Sequence, residues 1–250
     1  MALTLYHGQP NGPSFTVLAA VAEKGVEAEH RLIDLAAGGR HAADVPRNRE
    51  VDMSIEGEGP VLVADGEAMA DSVFIACYLD DAFAGPALRP ADPYTRWEMM
   101  SWCRYVIERI APAAAYLGVH AAGVPAIDGT TVASDDLRER WAAAAQGQAD
   151  EARLADSRSK IEAGVARVEA KLEDGRQWLI GDFSIADLET YAWLAGMRAI
   201  VPQAFAGQEL TKQWIERLEA RPAVQAALAR ATVADPAAVW APGPEINRWG

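Results

Sequence analysis

The first third of the chain alternates between short patterns typical of strands and of helices. Residues 2–6 alternate apolar and polar side chains, as a half-buried strand does, and a turn-rich stretch follows them. From Ser14 onward apolar residues recur at helical spacing until Gly25, where a helix would end. Residues 29–35 again favour a strand. This order predicts a β-α-β unit with parallel strands.

A loop, a hairpin and a further helix come next. Residues 36–57 are polar and show no period, so we predict a long loop with at most one helical turn. Apolar segments at 60–64 and 67–69 flank an Asp-Gly dipeptide, which is typical of a two-residue hairpin turn. An Asp-Ser pair at 71–72 then precedes apolar residues at helical spacing, as at the start of a capped helix.

The remainder of the chain shows helical periodicity and no strand pattern. Residues 85–93 contain three prolines and a glycine, which indicates a linker between domains. We therefore predict an α/β domain over residues 1–84 and an all-α domain over residues 92–250.

The helical half is predicted to contain two long helical stretches and a final helical pair. The stretches cover residues 94–117 and 137–172, with a turn-rich segment at 123–136 between them. After Pro236 the tail has no period and is expected to be an irregular cover. The apolar positions that mark a seam and the final pair are Ile161, Val165, Val168, Leu172, Trp214, Leu218, Val224 and Leu228.

Charge and composition narrow the classes of partner. The formal net charge is −13 and the isoelectric point about 4.8, so the chain repels nucleic acid and anionic lipid surfaces. No apolar run reaches the roughly 18 residues of a membrane span, and we expect a cytoplasmic protein. The two cysteines, Cys77 and Cys103, have apolar neighbours and are expected to be buried free thiols. No metal-ligand spacing is present.

Two segments carry a resemblance to a known family. In GEGPVLVADGEAMADS, Gly59-Pro60 enters the hairpin and Asp71-Ser72 opens the next helix, and GDFSIADLETY contains an S-x-x-D capping box. In this order they resemble the glutathione transferase superfamily, which implies an α/β thioredoxin-like N-terminal domain followed by an all-α C-terminal domain. The stretches PSFTVLAAVAEKGVE, ALRPADPYTRWEMMSWCRYV and ARPAV are most similar to bacterial β-etherases, which cleave aryl ethers of lignin fragments.

The resemblance implies glutathione as co-substrate and a residue that stabilises its thiolate. Lowering a thiol pKa from about 8.5 to about 6.5 requires roughly 2.7 kcal/mol. A hydroxyl hydrogen bond to a charged group gives about 1.5–3 kcal/mol, and a helix N-terminus adds about 0.3–1. By resemblance to serine-type transferases this role falls to Ser14, with Asn11 as the substitute donor. The alternative is that Ser14 only caps its helix.

Further glutathione contacts follow from the same resemblance. A cis-proline at Pro60 and the backbone of the preceding residue, Gly59, would pair with the cysteinyl unit, although the family commonly has valine before this proline. Asp71 and Ser72 would receive the γ-glutamyl end, or serve only as an N-cap. His41 would reach the glycine carboxylate, or remain a solvated loop histidine.

A pocket for an aromatic substrate is expected between the domains. Its candidate walls are Trp102, Tyr105, Tyr116 and His120, which would otherwise be core residues. Two functions remain open. The first is a glutathione-dependent enzyme that attacks an aromatic electrophile, the β-aryl ether of a lignin-derived compound, and the second is a catalytically weakened subunit that acts as the structural half of a heterodimer. The second is favoured by the long 36–57 loop without its usual Asn-Pro and by Gly59. Either would pair as a homodimer or as a heterodimer with a related transferase.

Overall fold

The computed structural model describes residues 2–48, 51, 54, 58–127 and 135–243. Its N-terminal part holds a four-stranded sheet in the order β2-β1-β3-β4. β2 is parallel to β1, and the other neighbours are antiparallel. The strands are β1 (Leu3–His7), β2 (Glu29–Leu32), β3 (Val61–Ala64) and β4 (Glu67–Met69).

The crossover from β1 to β2 is helix α1 (Gly12–Glu23), which confirms the predicted β-α-β unit. Ten of its twelve residues are buried, because α1 packs against the helix that follows the hairpin and against the helical half. Gly25 follows with a φ of 62°, as the C-terminal cap requires. Two short 3-10 turns, Leu35–Ala37 and Gly39–His41, occupy part of the predicted loop.

The hairpin between β3 and β4 forms where the Asp-Gly dipeptide predicts it. Asp65 and Gly66 have φ angles of 49° and 95°, the left-handed pair that a two-residue turn of this kind needs. The Asp65 carboxylate also accepts a hydrogen bond from the Ala2 N–H at 2.8 Å. Helix α2 (Ser72–Ala82) then completes the thioredoxin-like part.

The first long stretch of the helical half is one rod with a local change of pitch. α3 (Pro93–Tyr105) continues through a π-helical turn (Val106–Ile110) into α4 (Ala111–Ala122). Pro112 lacks the N–H that an α-helix would donate to the carbonyl of Glu108, and π turns are a common way to absorb such a missing bond.

The prediction of one continuous helical stretch over residues 137–172 is wrong. The stretch is divided into α5 (Asp135–Ala145) and α6 (Glu151–Leu172). Gly147 between them has a φ of 63°, and Asp150 starts the new helix by accepting a hydrogen bond from Ala152 N–H at 2.9 Å. The seam predicted for this stretch is nevertheless buried along α6.

Every residue of α7 (Ile185–Leu194) is buried, because α1, α2 and the rod of α3 and α4 pack against it. The remaining helices are α8 (Met197–Ile200), α9 (Glu209–Glu219) and α10 (Pro222–Leu228), with 3-10 turns at Pro202–Phe205 and Pro236–Ala238. One hydrophobic core runs from Leu3 in the sheet to Trp240 in the tail. The two halves therefore pack as one body.

The predicted capping box at the start of α7 is confirmed. Ser184 N–H donates to Asp187 Oδ2 at 3.0 Å, and the Ser184 side chain caps the helix in return. Asp187 also accepts from Leu179 N–H at 3.0 Å and from Trp214 Nε1 at 2.9 Å. Burial raises the pKa of this carboxyl to about 6 against the effect of those hydrogen bonds.

Both cysteines are free thiols in the structure. Cys103 is buried and Cys77 is half-buried, and burial raises the pKa of each thiol. Within the described ranges no helix is long and apolar enough to cross a membrane, and no His, Cys, Asp or Glu cluster has the geometry of a metal site.

Candidate active site

A cavity of about 550 Å³ opens at the N-terminal end of α1. It lies beside the carboxyl ends of the parallel strands β1 and β2, the usual position of a ligand site in open α/β sheets. Two tryptophans, Trp193 of α7 and Trp240 of the tail, form much of its aromatic wall, with their ring centroids 6.5 Å apart. The other lining residues are Gln9, Asn11, Gly12, Pro13, Leu32, Ile33, Asp34, Leu35, Ala36, Glu58, Thr232, Val233, Val239, Ala241, Pro242 and Gly243.

The start of α1 makes one end of this cavity suitable for an anion. Asn11 is the N-cap residue, and Asn11, Gly12 and Pro13 all line the cavity. The first amides of a helix carry partial positive charge and lack partners within the helix. The Asn11 side chain does not cap the helix but donates from Nδ2 to Val239 O at 3.1 Å. A side-chain amide has a second N–H to donate.

Ser14 does not have the position that we expected from the sequence. It is the third residue of α1, its side chain is 1% exposed, and it does not line the cavity. Its hydroxyl accepts a hydrogen bond from Gly8 N–H at 2.9 Å. The physical reason is that Gly8 N–H is buried at the turn after β1 and needs a partner. The cavity wall therefore presents Asn11, and Ser14 lies behind it.

The residues expected to hold the glutathione backbone have other partners. The Gly59–Pro60 bond is trans, since no peptide bond in the described ranges is cis, and the cis-proline expected from the resemblance is absent. Arg40, which the sequence analysis did not single out, donates from Nη1 to Gly59 O at 2.7 Å and from Nη2 to Val51 O at 3.0 Å. The carbonyl of Gly59 is thus fixed by a buried guanidinium.

Asp71 and Ser72 lie together at the start of α2 but do not line the cavity. Asp71 has a φ of 67°, an unusual backbone conformation for a residue other than glycine. Its carboxylate accepts from the Ser54 hydroxyl at 2.6 Å. The Ser72 hydroxyl donates to Glu189 Oε2 at 2.9 Å in a fully buried position.

His41 is buried, and not solvated as the alternative interpretation held. Its Nε2 lies 2.7 Å from Glu58 Oε1, and Trp141 of α5 donates from Nε1 to the same oxygen at 3.3 Å. Glu58 lines the cavity. The sequence analysis missed Glu58 and Trp141, since one glutamate in an acidic loop and one tryptophan in a helix gave no distinguishing pattern.

The four aromatic candidates fall into two groups. Tyr116 and His120 make an edge-to-face contact with their ring centroids 4.4 Å apart. Both line a second cavity of about 210 Å³, which shares Pro242 and Gly243 with the first. Trp102 and Tyr105 line neither of these two cavities. Trp102 donates from Nε1 to Thr190 at 2.8 Å within the core, because an indole N–H must be paired when buried.

Family models match both halves of the chain. The model for the N-terminal domain of glutathione S-transferase matches residues 1–81, and the model for its C-terminal domain matches residues 113–222. The chain belongs to the glutathione S-transferase family. It is accordingly a transferase with glutathione as co-substrate, and these predictions and the predicted fold class are confirmed.

The most informative relative is a β-etherase. The chain is 28% identical over 247 residues to Protein LigF of Sphingobium sp. strain SYK-6, which covers 90% of this chain and 92% of LigF. The crystal structure of β-etherase LigF matches with a TM-score of 0.80 and 27% identity, over 92% of this chain and 100% of LigF. A Burkholderia graminis glutathione transferase with two bound glutathione molecules per subunit has a TM-score of 0.68 and 22% identity, over 92% of this chain and 89% of that one, and shows the shared fold.

Proposed function

We propose that the protein uses glutathione to cleave the β-aryl ether bond of a lignin-derived aromatic compound. The observation that carries this proposal is one cavity that joins the N-terminal end of α1 to a wall of two tryptophans. Its volume lies within the roughly 300–1,000 Å³ of small-molecule sites. The extended similarity to the β-etherase LigF supports the same substrate class.

The chemistry needs an anion site beside an apolar one. Glutathione supplies the thiol, whose sulfur forms a bond to the ether carbon while the carbon–oxygen bond breaks and the aryloxide leaves with the bonding electrons. We assign stabilisation of the thiolate to the Gly12 N–H at the start of α1 and to the second N–H of Asn11, because both residues line the cavity and Pro13, which also lines it, has no N–H. A hydrogen bond to a charged group and a helix terminus together contribute about 2–4 kcal/mol.

For the rest of glutathione we keep the assignments that the resemblance implies. The backbone of Gly59, next to Pro60, is proposed to meet the cysteinyl unit, and Asp71 and Ser72 the γ-glutamyl end. The strained φ of Asp71 supports this, since such strain concentrates at ligand sites. His41 is not assigned to the glycine carboxylate, because its Nε2 is held by Glu58.

A coupled assay tests the proposed reaction. The substrate is an aryl ether whose leaving phenol becomes fluorescent on release, mixed with purified protein with and without glutathione. We expect phenol release that depends on both components and a thioether product in equal amount by mass spectrometry. Release without glutathione, or no release at all, contradicts the proposal.

Calorimetry separates the enzyme from the catalytically weakened subunit. An intact site gives heat when glutathione is titrated at millimolar concentration, whereas a subunit that has lost the site gives none. Binding without any ether cleavage would leave the family assignment intact and move the search to other aromatic electrophiles.

We also propose that the protein is a dimer, as the sequence analysis expected. Large apolar side chains are exposed on the two helices that flank the interdomain linker: Phe74 of α2, and Tyr94 and Trp97 of α3. Sedimentation of the pure chain should give twice the chain mass, and Trp97→Glu should give the monomer. A monomeric wild type would favour the heterodimer.

A further inference from the structure

One carboxylate oxygen at the wall of the main cavity has no partner among the described residues. It is Glu58 Oε2, on a side chain that is 1% exposed and lines the cavity. Buried oxygens of this kind are nearly always hydrogen-bonded. Leaving one unpaired costs about 1–3 kcal/mol, and more when the group is charged. An ordered water or a bound ligand must therefore supply the missing donor.

The orientation of Glu58 is fixed by two groups from different halves of the chain. His41 Nε2 lies 2.7 Å from Oε1, and since a carboxylate only accepts hydrogen bonds, this nitrogen carries the proton. Trp141 donates to the same oxygen from α5 at 3.3 Å. Because Oε1 is held by these two groups, Oε2 is the oxygen of this cavity-lining side chain that remains for a ligand donor.

The surroundings of Oε2 decide which donor fits. The cavity wall is largely apolar and includes Leu32, Ile33, Trp193 and Trp240. Its lining residues carry two buried polar atoms without a partner among the described residues, the acceptor Glu58 Oε2 and the donor Trp240 Nε1. A carboxylate in such a cavity repels anionic groups and favours a neutral or cationic donor. An aromatic ring that carries one hydroxyl group matches an apolar wall with one acceptor.

We propose that Glu58 determines substrate specificity by accepting a hydrogen bond from a hydroxyl group of the aromatic substrate. The proposal rests on the proposed function and adds a requirement to it: ethers with a free hydroxyl are preferred over the same compounds with that hydroxyl methylated. The ammonium group of glutathione is the other possible donor of this chemistry, and the experiment distinguishes the two.

The test compares a hydroxylated aryl ether with its O-methyl analogue. We expect wild-type kcat/KM to be at least tenfold higher for the hydroxylated compound. In Glu58→Gln an N–H donor replaces the acceptor, so this ratio should fall at least tenfold, while the glutathione Kd by calorimetry stays within twofold. Asp34→Asn is the matched control, since Asp34 also lines the cavity but its carboxylate is paired with Ala37 N–H at 3.1 Å. In Asp34→Asn the ratio of kcat/KM for the hydroxylated compound to that for its O-methyl analogue should equal the wild-type ratio.

Three results would overturn the proposal. The first is a wild type that cleaves both compounds equally well, which needs no variant. The second is a folded Glu58→Gln variant in which neither the ratio of the two kcat/KM values nor the glutathione Kd changes. The third is an unchanged ratio with weakened glutathione binding, which would assign Oε2 to the glutathione ammonium.

The failure of the proposed reaction would be distinguishable from the failure of this inference. If no ether is cleaved, the same pair of compounds is titrated by tryptophan fluorescence, with Trp193 and Trp240 in the cavity wall as reporters. Tighter binding of the hydroxylated compound that is lost in Glu58→Gln supports the role of Glu58 without turnover. Equal binding of both compounds contradicts it.

Discussion

Asn11 and Ser14 lie within one turn of α1, but their side chains have different surroundings. Asn11 lines the cavity and holds Val239 of the tail with one N–H. Ser14 is buried and holds Gly8 N–H. Loss of Asn11 should therefore affect the reaction, whereas loss of Ser14 should affect the fold.

We expect Asn11→Ala to lower kcat/KM at least tenfold, because removing a hydrogen bond to a charged group costs about 1.5–3 kcal/mol. The pH at which the bound thiol ionises should rise in parallel, as measured by thiolate absorbance. Ser14→Ala should lower the free energy of unfolding by about 1–3 kcal/mol by leaving Gly8 N–H unpaired.

Gln9→Ala is the control for this comparison. Gln9 also lines the cavity and also holds the tail, with Nε2 2.7 Å from Thr232 Oγ1. If Gln9→Ala raises the thiol pKa as much as Asn11→Ala does, the effect comes from the tail and Asn11 is not the donor.

These residues show what the sequence could and could not predict about the site. Placing the start of α1 at the site needed only the turn cluster and the helical period, which are local signals. Which side chain faces the cavity depends on non-local partners: the buried Gly8 N–H for Ser14, and Trp141 from the other half for Glu58. No spacing in the sequence encodes such partners.

Asp187 gives a pH dependence with a definite sign. Its pKa rises from an ordinary 3.8 to about 6 on folding, so the native state binds more protons between these values. Stability contributed by this group is complete below pH 4 and is lost as the pH rises to 6. The loss corresponds to roughly 3 kcal/mol at 1.36 kcal/mol per pKa unit.

We expect Asp187→Asn to remove this dependence. Chemical denaturation at pH 4, 5, 6 and 7 should show the stability of the variant rising relative to wild type up to about pH 6 and then levelling off. A constant difference across the range would mean that Asp187 keeps an ordinary pKa in the folded protein.

At the scale of elements, three helices meet at one buried carboxylate. Glu189 of α7 accepts from Thr16 of α1 at 2.8 Å, from Ser72 of α2 at 2.9 Å and from Trp193 Nε1 at 2.7 Å. It is fully buried, and burial raises its pKa. The start of α2 is thus fixed against the helical half through this side chain.

Glu189 can stabilise the fold through its negative charge or through its hydrogen bonds alone, and two substitutions distinguish these contributions. A glutamine amide can donate to the two hydroxyls, which rotate to accept, while its oxygen accepts from Trp193. We expect Glu189→Gln to change the free energy of unfolding by less than about 1 kcal/mol. Glu189→Ala should cost about 3 kcal/mol or more, because three buried donors lose their partner.

Urea denaturation measures both variants against Glu162→Ala, an exposed position on α6 that should stay within about 0.5 kcal/mol of wild type. If Glu189→Gln lowers the free energy of unfolding as much as Glu189→Ala does, the packing of the three helices requires the negative charge.

Elements were predictable where their signals are local. The hairpin follows from Asp65-Gly66, and the capping box from Ser184 and Asp187. The break between α5 and α6 escaped prediction because Gly147 lies in a stretch whose alanines favour helix on both sides. The boundary is set by Gly147, whose φ is positive, and by Asp150, whose side chain caps the start of α6.

At the scale of the whole molecule, the tail closes the cavity from the helical side. Trp240 packs beside two glycines, Gly118 of α4 and Gly196 before α8, and a Cβ at either position would collide with its indole ring. Arg140 of α5 donates to Gly243 O at 2.6 Å further along the tail. The two glycines thus leave the space that the Trp240 ring occupies, and this packing holds residues 231–243 as a wall of the cavity.

We expect Gly118→Ala to displace the tail. In most helix interiors this change stabilises by roughly 0.5–1 kcal/mol, but here the added methyl group occupies the space of the Trp240 ring. Hydrogen exchange of residues 231–243 should accelerate at least tenfold while the protection of α7 is retained, and KM for the aromatic substrate should rise.

Gly164→Ala is the matched control, since its methyl group would meet only the flexible end of Ile110, 2.8 Å away. If the exchange rates of residues 231–243 are unchanged in Gly118→Ala, the position of the tail does not depend on the packing of Trp240 against Gly118.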